Sequence, residues 1–167
     1  LDMADERRLL IALISDTGMR LSEALGLIWD DIYLDHEYPH ISLTPHPWRP
    51  LKTAGSKRLI PLVGAASEAV KIMHRQCTTP FLFNSYTDAN SCNGNSCSAA
   101  LNKWLKCHVP NTVIHSFRHS FRDRLRNAGV QSEMIDQLGG WSNQSVGQGY
   151  GEGFNLRSLS VSLKRFI

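Results

Sequence analysis

Tyr150 and the basic residues that precede it are the groups in this chain whose types and order suit chemistry on a phosphodiester. His115-Ser-Phe-Arg118 sets an imidazole three residues before a guanidinium, Leu138-Gly-Gly-Trp141 adds an indole, and Tyr150 follows nine residues later. Upstream, Thr17-Gly-Met-Arg20-Leu-Ser-Glu23 supplies a second guanidinium with a carboxylate three residues on, and Leu51-Lys52-Thr53 supplies an amine. A phenol is only about one part in a thousand ionised at pH 7, so its use as a nucleophile costs about 4 kcal/mol, which cations and a base must offset. His115 is the candidate proton acceptor. A 5′ alkoxide leaving group is more basic than phenolate and needs a donor, for which Lys52 is the candidate. Arg20 and Arg118 would compensate the charge on a pentavalent phosphorus, where one lost donor costs on the order of 10²–10³ in rate.

Elements must bring these groups together. Leu9, Leu10, Leu13 and Ile14 mark a first helix over residues 3–15, with Gly18 as its stop. A second helix is expected over 21–28, so Arg20 opens a helix and Glu23 shares its face. Prolines 39, 45, 47, 50 and 61 then break any helix, and Ile41-Ser-Leu43 and Arg58-Leu-Ile60 alternate like short strands around a turn at 53–56. Lys52 and its competitor Lys57 stand beside that turn. Helices are expected again over 64–76, 96–107, 114–127, 131–138 and 155–166, with 84–97 a loop rich in Asn and Ser. On the helix over 114–127, His115, Arg118, His119, Arg122 and Arg126 span roughly a third of the circumference at about 100° per residue. Phe117, Phe121 and Leu125 lie opposite, and Arg118 sits at the edge between the faces. The fold class that follows is α+β, mainly α-helical with a small antiparallel β-sheet.

The 167 residues fit one domain, with 42% hydrophobic and 20% charged residues, a net charge of +3 and a pI near 8.8. That balance is mild, but positive charge is dense around Arg118, Arg122, Arg124 and Arg126 and around Lys52, Lys57 and Arg58, as binding a polyanion requires. Lys57, Arg58, His119, Arg122 and Arg126 are therefore candidate DNA contacts. No apolar run is long enough to span a bilayer, and no secretory leader is expected. Cys77, Cys92, Cys97 and Cys107 lack metal-ligand spacing, so reduced thiols in a cytoplasmic setting are expected. His115 and His119 lack a third ligand, and Asp30-Asp31 reads as a turn rather than a two-metal nuclease site. Neither metal nor cofactor is expected.

Taken together, Arg20, Lys52, His115-Ser-Phe-Arg118, Trp141 and Tyr150 resemble the catalytic domain of the tyrosine recombinase (phage integrase) family, over nearly all of residues 1–167. The resemblance implies the DNA breaking-rejoining fold and makes Tyr150, Arg20, Arg118, His115, Lys52 and Trp141 catalytic, with Glu23 in support. Trp141 stands where the family usually has histidine; an indole N–H can donate to a phosphate but cannot shuttle a proton. Implied too are cleavage through a 3′-phosphotyrosyl link, resealing by a 5′-hydroxyl, double-stranded DNA as partner, and a homotetramer on two duplexes, with a monomer when free. Such a protein would act in the cytoplasm at the nucleoid, integrating or excising a phage or other mobile element. The separate N-terminal DNA-binding domain of family members has no counterpart in these residues. Strand relaxation of the type IB topoisomerase kind and a silent DNA-binding remnant are the alternatives.

Overall fold

The computed structural model describes residues 6–141 and 153–165. In chain order its elements are α1 (Glu6–Thr17), α2 (Leu21–Leu25), a 3₁₀ turn (Trp29–Asp31), β1 (Ile32–Tyr33), β2 (His40–Leu43), a second 3₁₀ turn (Ala54–Ser56) and β3 (Arg58–Pro61). Then come α3 (Gly64–Arg75), α4 (Gly94–His108), α5 (Ile114–Asn127), α6 (Ser132–Gly139) and α7 (Leu156–Leu163). The fold class matches the expectation: mainly helical, with a three-stranded antiparallel meander in the order β1-β2-β3.

Side-chain periodicity explains the layers. Leu9, Leu10, Leu13 and Ile14 form the buried stripe of α1, which packs against both α3 and α5. Ile41 pairs with Ile60 in register and Leu43 with Arg58, so one sheet face joins the larger core, shared with α2, α3 and α4. A second core gathers Phe121 and Leu125 of α5, Ile135 and Leu138 of α6, and Leu159 and Leu163 of α7. Leu156, Leu159, Leu163 and Phe166 give the carboxyl-terminal segment an apolar stripe, and its Leu159 and Leu163 pack on their own chain. Phe166 of that stripe lies outside the described residues.

Several expectations need correction. β1 escaped notice because two residues carry no alternation to read. The loop expected over 84–97 ends at Asn93, whose side chain accepts from the Ser96 N–H at 3.2 Å and caps α4. α2 stops at Leu25 rather than 28, and the turn at 53–56 closes as a 3₁₀ turn over Ala54–Ser56. Among the described residues no helix is long and apolar enough to cross a membrane.

Gly18 ends α1 as expected, at φ +62, and there the chain turns toward Arg20. A Cβ on Gly18 would lie 2.3 Å from the Phe121 ring. Gly18→Ala therefore combines left-handed backbone strain with a clash in the second core. Urea denaturation should show a loss on the order of 1–3 kcal/mol, and a change within experimental error would contradict this packing.

Candidate active site

Three arginines from three different elements converge on the carboxyl-terminal turn of α6. A helix end leaves carbonyls without intrahelical partners, and they carry the negative end of the helix dipole. Gly140, at φ +61, closes α6 with the Trp141 N–H bonded to the Asp136 carbonyl at 2.9 Å, which leaves the next carbonyls facing outward. Arg58 Nε donates to Leu138 O at 2.8 Å and Arg118 Nη2 to Gly139 O at 2.6 Å. Arg20 Nη2 makes a long approach to Gly140 O at 3.5 Å. The Leu-Gly-Gly-Trp sequence is what this requires. Gly140 adopts the left-handed turn, and Trp141 folds back so closely that a Cβ on Gly139 would lie 1.8 Å from its ring.

Glu23 knits the arginines together. Its carboxylate accepts from the Arg20 backbone N–H at 2.9 Å and from Arg20 Nη1 at 2.6 Å, and it pairs with Arg58 Nη2 at 3.0 Å. Ser56 completes the tie: its Oγ accepts from Arg20 Nη1 at 3.1 Å and its carbonyl from Arg58 Nη1 at 2.8 Å. Burial, the largest single influence, pushes the Glu23 carboxyl up, but the Arg58 charge and the hydrogen bonds from Arg58 and Arg20 together bring it below the ordinary carboxylate range. The stability Glu23 contributes is thus present above its unfolded value of about 4.3 and is lost as pH falls through its folded value.

Arg118 is placed differently from the sequence expectation. Ile114, Arg118, Phe121 and Leu125 form the buried stripe of α5, so Arg118 lies within the core-facing row rather than at its edge. Its guanidinium donates from Nη1 to the Gly18 carbonyl and from Nη2 to Gly139, and stacks on Trp141 with Cζ 4.3 Å from the ring centroid. Those partners are neutral. Burial first, then the charges of Arg20 and Arg58, push Arg118 down to about 10, so it stays protonated at pH 7 with its charge poorly matched. One N–H on each terminal nitrogen is left over, a donor set suited to a phosphate.

His115 and His119 are exposed on α5, edge to face, with ring centroids 4.8 Å apart. His115 lines a cavity of about 160 Å³ with Arg118 and Ser98. Desolvation first, then His119, Arg118 and Arg20, hold His115 below the ordinary imidazole value, so it stands neutral at pH 7 and able to accept a proton. Lys52 and Lys57 are exposed on the β2–β3 connection. Tyr150, the candidate nucleophile, lies outside the described residues.

Of the expected DNA contacts, Arg58 and Arg122 already have partners within the chain. Arg58 is interior, 8% exposed, because strand alternation puts it on the Ile60 face. Arg122 pairs with Asp136 at 3.0 Å and also lies over the Trp141 ring, 4.9 Å from its centroid. Arg124, counted in the same charge cluster, pairs with Asp16 at 3.1 Å and bridges α5 to α1. Arg126 stays exposed, 3.6 Å from Asp123. Sequence reasoning passed over Ser56 and the buried Arg49. The latter holds α2 from below through the Glu23 carbonyl at 3.1 Å and pairs with Asp31 at 3.1 Å. Nothing in the local pattern around Pro47 and Pro50 marks Arg49 as buried.

The sequence model of the phage integrase family matches residues 3–154. The chain belongs to that family. Among relatives, the transposases of Tn916 from Enterococcus faecalis and of Tn1545 from Streptococcus pneumoniae are each 24% identical over 178 residues, covering 93% of this chain and 44% of theirs. The Tn1549 transposon integrase in complex with a circular intermediate DNA superposes with a TM-score of 0.63 at 19% identity, over 94% of this chain and 57% of that one. The XerH site-specific recombinase bound to difH superposes with a TM-score of 0.58 at 20% identity, over 97% of this chain and 45% of that one. The chain thus spans about half the length of the relatives it matches, and shares the fold of tyrosine recombinase catalytic domains. For a member of the phage integrase family, the convergence of Arg20, Glu23, Arg118 and Trp141 is the candidate active site.

The crowding of cations around His115 is directly measurable. In a histidine-resolved NMR titration of the DNA-free protein, His115 should titrate below the free-imidazole value of about 6.5, and His119→Gln should let it rise. A midpoint at or above that value would contradict the electrostatics.

Proposed function

We propose that this chain is the catalytic half of a site-specific DNA recombinase that integrates or excises a mobile element. The observation that carries the reading is the pair Arg20 and Arg118, held beside neutral His115 with too little negative charge nearby to satisfy them. Such a pocket stabilises an arriving phosphodiester and still more the doubly charged phosphorane formed from it. The transposase relatives and the DNA-bound structural neighbours support the same choice.

In this reading the Tyr150 phenol attacks the scissile phosphorus while His115 takes its proton. Arg20 and Arg118 hold the non-bridging oxygens, and the Trp141 indole N–H donates to one of them. The phosphorus–oxygen bond to the 5′ side breaks as Lys52 protonates the leaving oxygen, giving a 3′-phosphotyrosyl link and a free 5′-hydroxyl. Attack by a 5′-hydroxyl from a partner strand reverses the step and frees the phenol. Bond energy is conserved through the phosphotyrosyl link. The partner is double-stranded DNA, and exchange between two duplexes takes four protomers. His119, Lys57 and Arg126 are the exposed cationic candidates for backbone contacts, and the reaction takes place with the element's DNA in the cytoplasm.

A nicked duplex carrying the element's own junction, whose cleaved fragment diffuses away, tests the reading in the full protein that contains this chain. An SDS-resistant adduct should form, persist with EDTA present, and map to Tyr150 by peptide mass. Tyr150→Phe should abolish it, and Arg118→Ala should slow it on the order of 10²–10³, with Arg126→Ala affecting DNA affinity instead. DNA binding without any adduct in the wild type would indicate a silent remnant, and loss of cleavage on chelation would indicate metal-dependent hydrolysis.

A further inference from the structure

Arg58 differs from Arg20 and Arg118 in how its charge is matched. It meets both Glu23 oxygens, Nη2 to Oε2 at 3.0 Å and Nη1 to Oε1 at 3.4 Å, while also donating to Leu138 O at 2.8 Å and Ser56 O at 2.8 Å. Its side chain and that of Glu23 are each only 3% exposed. A guanidinium so engaged keeps almost no donor for a DNA phosphate. What it does instead follows from its partners. Glu23 is the carboxylate that orients Arg20, Ser56 holds the same Arg20 from the other side, and Leu138 begins the turn that seats Arg118 and Trp141. Gly140 closes over it, since a Cβ there would lie 2.8 Å from Arg58 Nη1.

We propose that Arg58 is a positioning residue: it locks the Glu23 carboxylate to the β2–β3 connection and the α6 carboxyl-terminal turn, so that Arg20 and Arg118 face one phosphate. No lysine can replace it. An ammonium places one charge near Glu23 but lacks the planar fork that reaches three elements at once. Glu23 is surrounded by the charges of Arg20, Arg58, Arg49 and Arg118, so removing the fork leaves the carboxylate free to choose among other cations.

Arg58's role depends on the strand-transfer reading only where cleavage is measured, so the test has a DNA-free arm. In the wild type, NMR of the guanidinium groups should show hindered rotation for Arg58 and Arg20. In Arg58→Lys, Arg20 should become rotationally averaged while the protein keeps its cooperative thermal transition. With the nicked duplex, Arg58→Lys should slow adduct formation on the order of 10²-fold, as misplacement by about an ångström does. The deficit should persist after correction for folded fraction, which a purely structural role would not leave. The salt dependence of DNA binding should be unchanged, whereas a lost phosphate contact lowers its slope by about one. Free rotation of Arg58 in the wild type, wild-type cleavage by Arg58→Lys, or a slope reduced by one would overturn the proposal. The wild-type measurement holds whether or not the variant folds. If the wild type forms no adduct yet Arg20 averages in Arg58→Lys, the strand-transfer reading fails and the positioning role stands.

Discussion

The carboxyl-terminal turn of α6 is the fixed point of this structure. Three successive carbonyls, of Leu138, Gly139 and Gly140, face Arg58, Arg118 and Arg20, from β3, α5 and the start of α2. Oriented dipoles at a helix end are well suited to hold like-charged groups close together, because they attract cations without cancelling their charge. A carboxylate for each arginine would leave none of them available to a substrate. One carboxylate, Glu23, shared by Arg20 and Arg58, is the compromise found here. Removing one partner of a buried pair typically costs about 3–5 kcal/mol because it strands the other charge, so losing Glu23 or Arg58 would destabilise the fold as well as disarrange the site.

Trp141 completes the arrangement in a way a histidine would not. Its ring lies against the guanidiniums of Arg118 and Arg122, with Asp136 anchoring the outer one. Such cation–π contacts restrain both arginines without supplying a formal negative charge. Arg118 and His115 both lie below their ordinary proton affinities for the same reasons, burial and neighbouring cations. In the proposed reading an arriving phosphodiester would relieve that crowding. Relief of like-charge crowding by the substrate is a general route to favouring the more highly charged transition state.

Much of this was legible in the sequence, and the failures have common causes. The helix over 114–127 was read with its true ends, because 14 residues of strong period leave little ambiguity. The grouping of Arg20 with Glu23 follows from their spacing, and the hairpin near Lys52 from its prolines and alternation. Burial of charge was misjudged wherever charge was assumed to mean surface. Arg118 shares its stripe with Ile114, Phe121 and Leu125, and Arg58 alternates with exposed Leu59 on the Ile60 side. From sequence Arg118 stood at the edge of its face and Arg58 at the surface, and packing draws both inside. Arg49 is a different matter: its burial depends on Asp31 and Glu23, 18 and 26 residues away, and no local pattern encodes a partner at that distance.

A crystal structure of the Tyr150→Phe protein on an intact duplex probes the preset pocket most directly. The scissile phosphate should sit between Arg20 and Arg118, touching the Trp141 indole N–H, with Arg118 still bonded to the Gly18 and Gly139 carbonyls. A phosphate seated away from those guanidiniums, or an Arg118 that leaves its carbonyls to reach it, would contradict a pocket built by folding alone.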